Sequence, residues 1–299
     1  MSAPKNHVLI VNPSSGGGRG RKLLPVVEEA MRARGLAHRT VVTQSLEQGI
    51  DAAIAAHEAS ELPVVMSGDG LIGQIGGALA GRGATMGIVP GGRGNDFARV
   101  LGVPDEVGKA VGVLAEGKAR KIDVGEVNGR RFLGIASMGF DSESNRRANQ
   151  TRLIRGSLVY AYAALRTLAT WKPANFTVTL DGKETVAVRG YSVAVANNKA
   201  FGGGMFIAPD AELDDGRFDV VLSSHTGKRR FLTNLPKVFE GTHVEEDAVT
   251  VRRASTVKVE ADRDFEVYAD GEHLSDLPAT LRVLDGALRV IAPPAGAEQ

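Results

Sequence analysis

The sequence predicts an α/β N-terminal domain with a doubly wound, mostly parallel sheet, followed by a β-rich C-terminal domain of the sandwich type. Two observations predict the first domain: short apolar runs alternate with helical patterns up to residue 90, and glycine-rich stretches follow three of those runs. The second domain is predicted because strand patterns dominate beyond about residue 128. We expect domains at 1–127 and 128–299, with the last ~15 residues free to return to the first.

The elements of the first domain follow in order along the chain. We predict strands at 7–12, 38–44, 62–67 and 85–90, with helices at 23–35, 45–59 and 71–81. In the second domain, a helix at 157–171 precedes strand patterns such as NFTVTLDG, YSVAVANN, FDVVLSS and ATLRVLDGALRVI. Ligands of parallel sheets bind at the carboxyl ends of the strands, where NPSSGGGRG, SGDG and PGGRGND fall.

Composition excludes several classes of function. Lys and Arg total 36 against 35 Asp and Glu, so the net charge of +1 gives no field that favours nucleic acid, and we expect no such partner. Cysteine is absent, which excludes disulfides, thiol catalysis and zinc–thiolate sites. Since no run of about 18 apolar residues and no signal peptide occurs, we expect a cytoplasmic protein. The oligomeric state stays open, and a homodimer is possible.

SGDGLIG places an aspartate among glycines between a strand and a helix. Gly68, Gly70 and Gly73 fit G-x-G-x-x-G, but the next strand ends in Pro90 without the acid that a dinucleotide ribose requires. A bare carboxylate would repel a phosphate in this loop. Asp69 is explained if Mg²⁺ bridges it to phosphate oxygens, or if it accepts a proton from an attacking hydroxyl, as in phosphoryl transfer. The alternative is an aspartate that caps helix 71–81.

Two other glycine-rich turns accompany this loop. VNPSSGGGRGRK has the composition of an anion-binding nest without a Walker motif, and Arg19, Arg21 and Lys22 either add charge to it or are solvated. In PGGRGNDFAR, Asn95 or Asp96 is placed to cap a helix beginning near Phe97. Only one of the two is needed as a cap. The other, together with Asp69 and Asp123, would suit a metal held through water.

VNPSSG, MSGDGL, IVPGGRGNDFAR and YADGEH, in this order, resemble the diacylglycerol kinase catalytic family, which includes bacterial soluble lipid kinases and sphingosine kinases. The resemblance covers nearly the whole chain. It implies a nucleotide domain like that of NAD kinases, a C-terminal β-sandwich, and ATP-dependent phosphorylation of a lipid hydroxyl. Diacylglycerol, converted to phosphatidic acid in phospholipid biosynthesis, is the substrate we expect first.

The resemblance also implies roles for individual residues. Residues matching the ATP site are Asn12, Pro13, Ser14, Ser15, Gly16, Thr43, Ser67, Gly68, Asp69, Gly70, Leu71, Ile72, Gly73, Arg93, Asn95 and Asp96. Asp69, Asp96 and Asp123 match a magnesium and water network. A second, structural Mg²⁺ site matches Asp215 with the carbonyls of Glu212 and Arg217. The general base matches either Glu272 or Asp69. On the residues alone, DGEH is typical of a hairpin turn with an exposed glutamate, and LDDG of an Asp-Gly turn.

Several positions depart from the family pattern. Bacterial members usually read GGDGTLNE, where this chain has Ser67, Leu71, Gly73 and Gln74, and Arg93 replaces a common threonine. These changes leave open which nucleotide the chain uses and how fast it catalyses the transfer. Other readings are a kinase for sphingoid bases or other lipids, an NAD kinase relative, a nicotinamide-dependent oxidoreductase, or a lipid- or nucleotide-binding homologue with impaired catalysis.

Two segments combine basic and apolar residues. Arg146, Arg147, Arg152 and Arg155 precede the 157–171 helix, and Lys228 to Arg230 adjoin Phe231, Leu232 and Leu235. Such helices suit the surface of an anionic bilayer, so peripheral membrane contact is expected. The alternative is that both helices bury their apolar faces in the second domain and the basic side chains are solvated.

Overall fold

The computed structural model describes residues 6–150 and 158–294, apart from the side chains of residues 148–150 and 158–161. Arg152 and Arg155 of the predicted basic segment lie outside the described residues. The chain divides into two compact units. Unit 1 comprises residues 1–124, 202–204 and 284–299, and unit 2 comprises residues 125–201 and 205–283.

Unit 1 is built on a parallel sheet. Its strands are β1 His7–Val11, β2 His38–Val42, β3 Leu62–Ser67 and β4 Thr85–Pro90, and β5 Lys118–Val127 begins in it. The order is β2-β1-β3-β4, with every pair parallel. Its helices are α1 Ser15–Ala33, α2 Leu46–Glu58, α3 Asp69–Leu79, α4 Asp96–Val100 and α5 Val107–Glu116.

Helices cover both faces of this sheet. On one face, Leu9, Val11 and Val64 pack with residues of α1 and α5 in a core without solvent exposure. On the other face, α2 and α3 contact each other and the central strands. Because strands covered on both faces have no solvated side, β1 and β3 are buried at every residue and mostly apolar instead of alternating.

Unit 2 is β-rich and mostly antiparallel. Its strands are β6 Arg130–Phe132, β7 Ile135–Gly139, β8 Ala174–Leu180, β9 Glu184–Ala196, β10 Phe218–Ser224, β11 Val249–Ala254, β12 Thr256–Ala261, β13 Glu266–Ala269, β14 Glu272–Asp276 and the first part of β15 Ala279–Ala292, which passes into unit 1 at residue 284. They follow the order β14-β13-β7-β9-β8-β12-β15, and β10 joins β9 to β11. The helices are α6 Phe140–Gln150, α7 Leu158–Thr170 and α8 Lys228–Glu240, with a 3-10 turn at Thr242–Glu245.

The core of unit 2 lies between its strands. In β8, Ala174, Phe176, Val178 and Leu180 are buried while the intervening residues face outward, which is the alternation of a half-solvated strand. Phe176 joins Phe132 and Phe218 in one buried cluster. None of the helices in the described parts of the chain is long and apolar enough to cross a bilayer.

The first helix differs from its prediction. The element that starts at Ser15 contains a kink, because Gly16, Gly17 and Gly18 have left-handed backbone with φ of 59°, 71° and 94°, and the regular helix follows these glycines instead of beginning at 23. The run ATLRVLDGALRVI forms the single strand β15, whose last part pairs in parallel with β4, Arg289 opposite Thr85.

Candidate functional site

The first loop of the candidate site follows β1. The backbone N–H of Ser14 donates to Asn12 Oδ1 at 3.0 Å, and three consecutive glycines then adopt left-handed backbone. A Cβ at Gly16 would lie 2.9 Å from the carbonyl oxygen of Gly91, so a side chain at this position would strain both the backbone and the packing. Because the three glycines carry no side chains, no side chain of their own covers the main chain of this loop.

This first loop is fastened to the loop after β4. Ser15 Oγ donates to the carbonyl oxygen of Gly91 at 3.0 Å, and the Arg19 guanidinium donates to that of Gly92 at 3.2 Å. A Cβ at Gly17 would lie 2.9 Å from the Arg93 guanidinium. Two of the polar side chains from the predicted nest therefore hold two loops together, and Arg93 lies beside the glycines.

The loop after β3 approaches the same turn through glycine. A Cβ on Gly92 would lie 2.4 Å from Gly68 Cα, closer than any side chain permits. Ser67, which precedes Gly68, is 2% exposed. The glycines of the second and third loops are therefore required by a backbone-to-backbone approach, independently of any ligand.

Asp69 is the first residue of α3, but its carboxylate caps a different helix. Its Oδ1 accepts the backbone N–H of Phe97 at 2.9 Å, in the first turn of α4. Burial raises the pKa of the Asp69 carboxyl, the Phe97 N–H opposes that shift, and the charge of Asp96 raises the pKa further. One alternative predicted that Asp69 caps its own helix. Its Oδ1 instead contacts a residue 28 positions away in sequence.

Asp69 and Asp96 approach a shared point at Gly94. An added Cβ there would lie 3.2 Å from Oδ2 of each carboxylate. Asp96 is 5% exposed; its Oδ1 accepts from Arg99 at 2.6 Å and its Oδ2 from the backbone N–H of Gly203 at 2.7 Å. A half-buried acid, Asp69, and a buried acid paired with Arg99, Asp96, therefore lie beside one glycine in unit 1.

Asn95 closes the third loop. Its backbone is left-handed, with φ of 51°, and its Oδ1 accepts the N–H of Gly92 at 2.8 Å. Its Nδ2 donates to Asp105 Oδ1 at 2.8 Å. Asn95 precedes α4 as expected of a cap residue, but its side chain makes no capping bond and instead holds the turn in shape.

The other nucleotide residues predicted in unit 1 are placed as follows. Thr43, at the end of β2, is 7% exposed and its Oγ1 donates to the carbonyl oxygen of Val11 at 3.1 Å. Leu71 Cδ1 would lie 3.3 Å from a Cβ on Gly49, so this side chain packs toward α2. Ile72 is fully buried, and its backbone N–H donates to the carbonyl oxygen of Gly68 at 3.3 Å. The roles of Pro13, Gly70 and Gly73 stay predictions.

The third acid of the predicted magnesium network has a separate partner. Asp123 lies inside β5, not at a strand end as expected, with no solvent exposure, and its Oδ1 accepts the N–H of Gly286 at 2.7 Å. Within residues 6–150 and 158–294, no three His, Asp or Glu side chains form a group that could hold a metal ion. Asp69 and Asp96 are therefore the two network members whose proximity the structure shows directly.

In unit 2, the YADGEH motif forms a two-residue hairpin turn. Asp270 and Gly271 have φ of 52° and 83°, and the Asp270 carboxylate accepts the N–H groups of Leu133 at 2.8 Å and Gly134 at 2.9 Å. Glu272 begins β14 and is exposed. The turn expected from the residues alone is thus present, and Asp270 is a structural residue that sequence reasoning missed.

The acidic stretch 211–220 contains an unusual carboxylate. Asp219 is 4% exposed and its Oδ2 is buried without a hydrogen-bond partner in the described chain. Burial, with Asp210 and Glu212 adding to it, raises the pKa of Asp219 to about 6. Asp215 pairs with the Arg253 guanidinium and accepts the N–H of Arg217 at 3.0 Å.

Comparisons with known proteins agree with the motifs. The family model "Diacylglycerol kinase catalytic domain" matches residues 6–127, and "YegS C-terminal NAD kinase beta sandwich-like domain" matches residues 134–292. The chain is similar to a diacylglycerol kinase of Mycobacterium tuberculosis, with 33% identity over 95% of this chain and 94% of the relative. A diacylglycerol kinase of Bacillus subtilis is 30% identical over 97% of each chain.

Solved structures show the same fold. A diacylglycerol kinase from Bacillus anthracis matches with a TM-score of 0.78 and 24% identity over 99% of each chain. An NAD kinase from Archaeoglobus fulgidus, in complex with ATP, matches with a TM-score of 0.50 and 16% identity over 96% of this chain and 92% of that one. The fold class and the family resemblance predicted from the motifs are confirmed.

Proposed function

Since the chain belongs to the diacylglycerol kinase catalytic-domain family, we propose that it transfers the γ-phosphoryl group of ATP to the hydroxyl of a lipid alcohol. Diacylglycerol is the substrate proposed first, with phosphatidic acid as product. The observation that carries the proposal is the pair Asp69 and Asp96, whose carboxylates meet at Gly94 beside glycine-rich loops. Such a pair fits phosphoryl transfer.

The reaction needs a base and a site for phosphates. The lipid hydroxyl oxygen forms a bond to the γ-phosphorus while the bond from that phosphorus to the β–γ bridging oxygen breaks, and ADP leaves. The hydroxyl proton passes to a carboxylate, either Asp69 or Glu272. In the loop after β1, successive glycine N–H groups in left-handed backbone are typical of an anion nest. Arg93, beside Gly17, adds a bidentate donor.

The donor set at Gly94 fits a divalent cation. Burial and the nearby charge of Asp96 raise the pKa of Asp69, and a cation there would favour its ionised form. When bound, Mg²⁺ neutralises charge on the phosphate oxygens of ATP. Asp69 and Asp96 would hold it, and Arg99 and the Gly203 N–H orient Asp96. Asp123 belongs to this network only as a prediction.

We also propose that the 211–220 stretch binds a second, structural Mg²⁺. Its support is the buried, unpartnered Oδ2 of Asp219 together with the acids that raise its pKa. Asp215 would supply a carboxylate in place of its contact with Arg253, with the carbonyls of Glu212 and Arg217. Asp215→Ala should lower the melting temperature and the gain in stability from added Mg²⁺. A melting curve unchanged from wild type at both Mg²⁺ concentrations would contradict this second site.

The experiment that tests the activity uses ATP labelled at the γ-phosphate with a total lipid extract. Label in phosphatidic acid is the expected result, and label in another lipid would identify a sphingoid base or other alcohol as the substrate. Label transferred to NAD and not to lipid would favour the NAD kinase reading. Binding of ATP without turnover on any lipid would favour a homologue with impaired catalysis, the alternative suggested by Leu71, Gly73 and Gln74.

A further inference from the structure

Helix α8 presents an apolar face to solvent. All of its residues are exposed or half-buried, and Leu232, Leu235 and Phe239 are 42%, 37% and 51% exposed. Their spacing of i, i+3 and i+7 places them on one face of the helix. The other large apolar side chains that are exposed in the described chain are Val26, Val42 and Leu46 in unit 1, and Tyr162 and Leu165 on α7 in unit 2.

The helix is held firmly by its other side, so this exposure is not the result of a frayed end. The Phe231 ring lies 4.4 Å from that of Tyr191 and 4.8 Å from that of Phe140, measured between centroids. Arg230 and Lys237 both pair with Glu246. Two contacts of different chemistry therefore orient α8 within unit 2, and the apolar face is a fixed feature of its surface.

The positive charge of α8 that lacks an acidic partner lies in its first turn. The helix carries Lys228, Arg229, Arg230 and Lys237 against a single acid of its own, Glu240, and Glu246 pairs with both Arg230 and Lys237. Lys228 Nζ donates to the carbonyl oxygen of Ala169 at 2.7 Å, a neutral partner that leaves its charge uncompensated. Lys228 and Arg229 precede Leu232 by four and three residues, so both lie next to the apolar face.

We propose that α8 docks unit 2 onto the surface of an anionic lipid bilayer. Leu232, Leu235 and Phe239 would enter the boundary between headgroups and acyl chains, while Lys228 and Arg229 contact lipid phosphates. Charge complementarity selects this occupant over a second copy of the chain, because two copies would bring uncompensated cations of the same sign to one apolar interface. The proposal rests on the proposed function only in that a lipid substrate would bring the protein to a membrane.

The test is sedimentation of the full chain with vesicles, without nucleotide. Vesicles of phosphatidylcholine with phosphatidylglycerol should bind wild-type protein, with weaker binding at high salt and to phosphatidylcholine alone. The double variant Leu235→Ser and Phe239→Ser should lower the partition coefficient at least about tenfold. The matched control changes Val26→Ser and Val42→Ser, which are 53% and 45% exposed in unit 1, and should bind like wild type.

A charge change separates electrostatic from apolar attraction. Arg229→Glu should weaken binding to anionic vesicles and leave binding to neutral vesicles unchanged, whereas Lys118→Glu, an equal charge change on an exposed residue of β5, should have a smaller effect. The proposal is overturned if the wild-type protein does not bind anionic vesicles, or if the serine variant binds them as well as the wild type does. It is also overturned if sedimentation velocity shows a dimer that the serine variant dissolves.

The outcome is separable from that of the proposed function. A short-chain diacylglycerol in detergent micelles reports phosphoryl transfer without a bilayer, and the α8 serine variant should phosphorylate it like wild type. Intact vesicle binding with no transfer to any lipid would remove the proposed function and leave the docking surface. Phosphoryl transfer in micelles with no vesicle binding would support the proposed function and remove the docking surface.

Discussion

Replacing Asp69 by asparagine or by alanine should separate its two roles. The carboxylate accepts the backbone N–H of Phe97 at 2.9 Å and lies beside Asp96 at Gly94. Asparagine keeps an oxygen for the Phe97 N–H and loses the charge, whereas alanine loses both. Phosphoryl transfer should therefore fall at least about 100-fold in both variants, while only the alanine variant loses the cap.

The stability difference can be estimated. Loss of a helix cap costs about 1 kcal/mol, equivalent to roughly 2–4 °C in melting temperature. Asparagine should cost less than alanine at every pH. The folded-state pKa of Asp69 is raised, so its ionisation weakens folding as the pH rises through that pKa. Asp69→Asn removes this loss, so at pH 8 it should melt no lower than wild type.

The assays are transfer of labelled phosphate to the lipid identified with wild type, and thermal melting at pH 5 and pH 8. Asp51→Asn is the matched control, because Asp51 is an exposed aspartate of α2 and should leave both measurements unchanged. Full transfer by Asp69→Asn would refute the assignment of Asp69 to the chemistry. Equal melting of the asparagine and alanine variants would refute the cap.

Three further outcomes are expected. Glu272→Gln should remove most transfer with an unchanged melting temperature, since Glu272 is exposed; full activity would leave Asp69 as the sole candidate base. The Asp219 pKa rises from 3.8 to about 6, so without Mg²⁺ the unfolding free energy should fall by up to roughly 3 kcal/mol as the pH rises across that interval. Urea titrations of Asp219→Asn should show no such fall, and an identical fall in that variant would contradict this origin. Gly92→Ala should destabilise unit 1 by about 1–3 kcal/mol, because its Cβ would lie 2.4 Å from Gly68 Cα. The control Gly112→Ala, in α5 with its nearest neighbour at 3.8 Å, should melt no lower than wild type.

Local sequence signals predicted the strands well where glycine or proline ends them. β3 and β4 have the predicted limits, since Gly68 follows the first and Pro90 with Gly91 ends the second. The meeting of Asp69 with Asp96 was also foreseeable, because parallel strands carry their loops to one edge of the sheet. The contribution of each residue to catalysis stays a prediction.

Contacts between distant segments were not predictable in the same way. The bond from Phe97 N–H to Asp69 depends on how two loops meet, and no local pattern encodes it. The two N–H bonds to Asp270 join residues 136 and 137 positions apart, so the motif showed only a turn.

The parallel pairing of β15 with β4 has a consequence for synthesis of the chain. Thr85 and Met86 leave the ribosome long before their partners Arg289 and Val290, because the two segments are far apart in sequence. Until those partners emerge, the nascent sheet carries an open edge of the kind that recruits other strands. A chain cut short before Leu284 would retain that edge permanently and should accumulate in inclusion bodies.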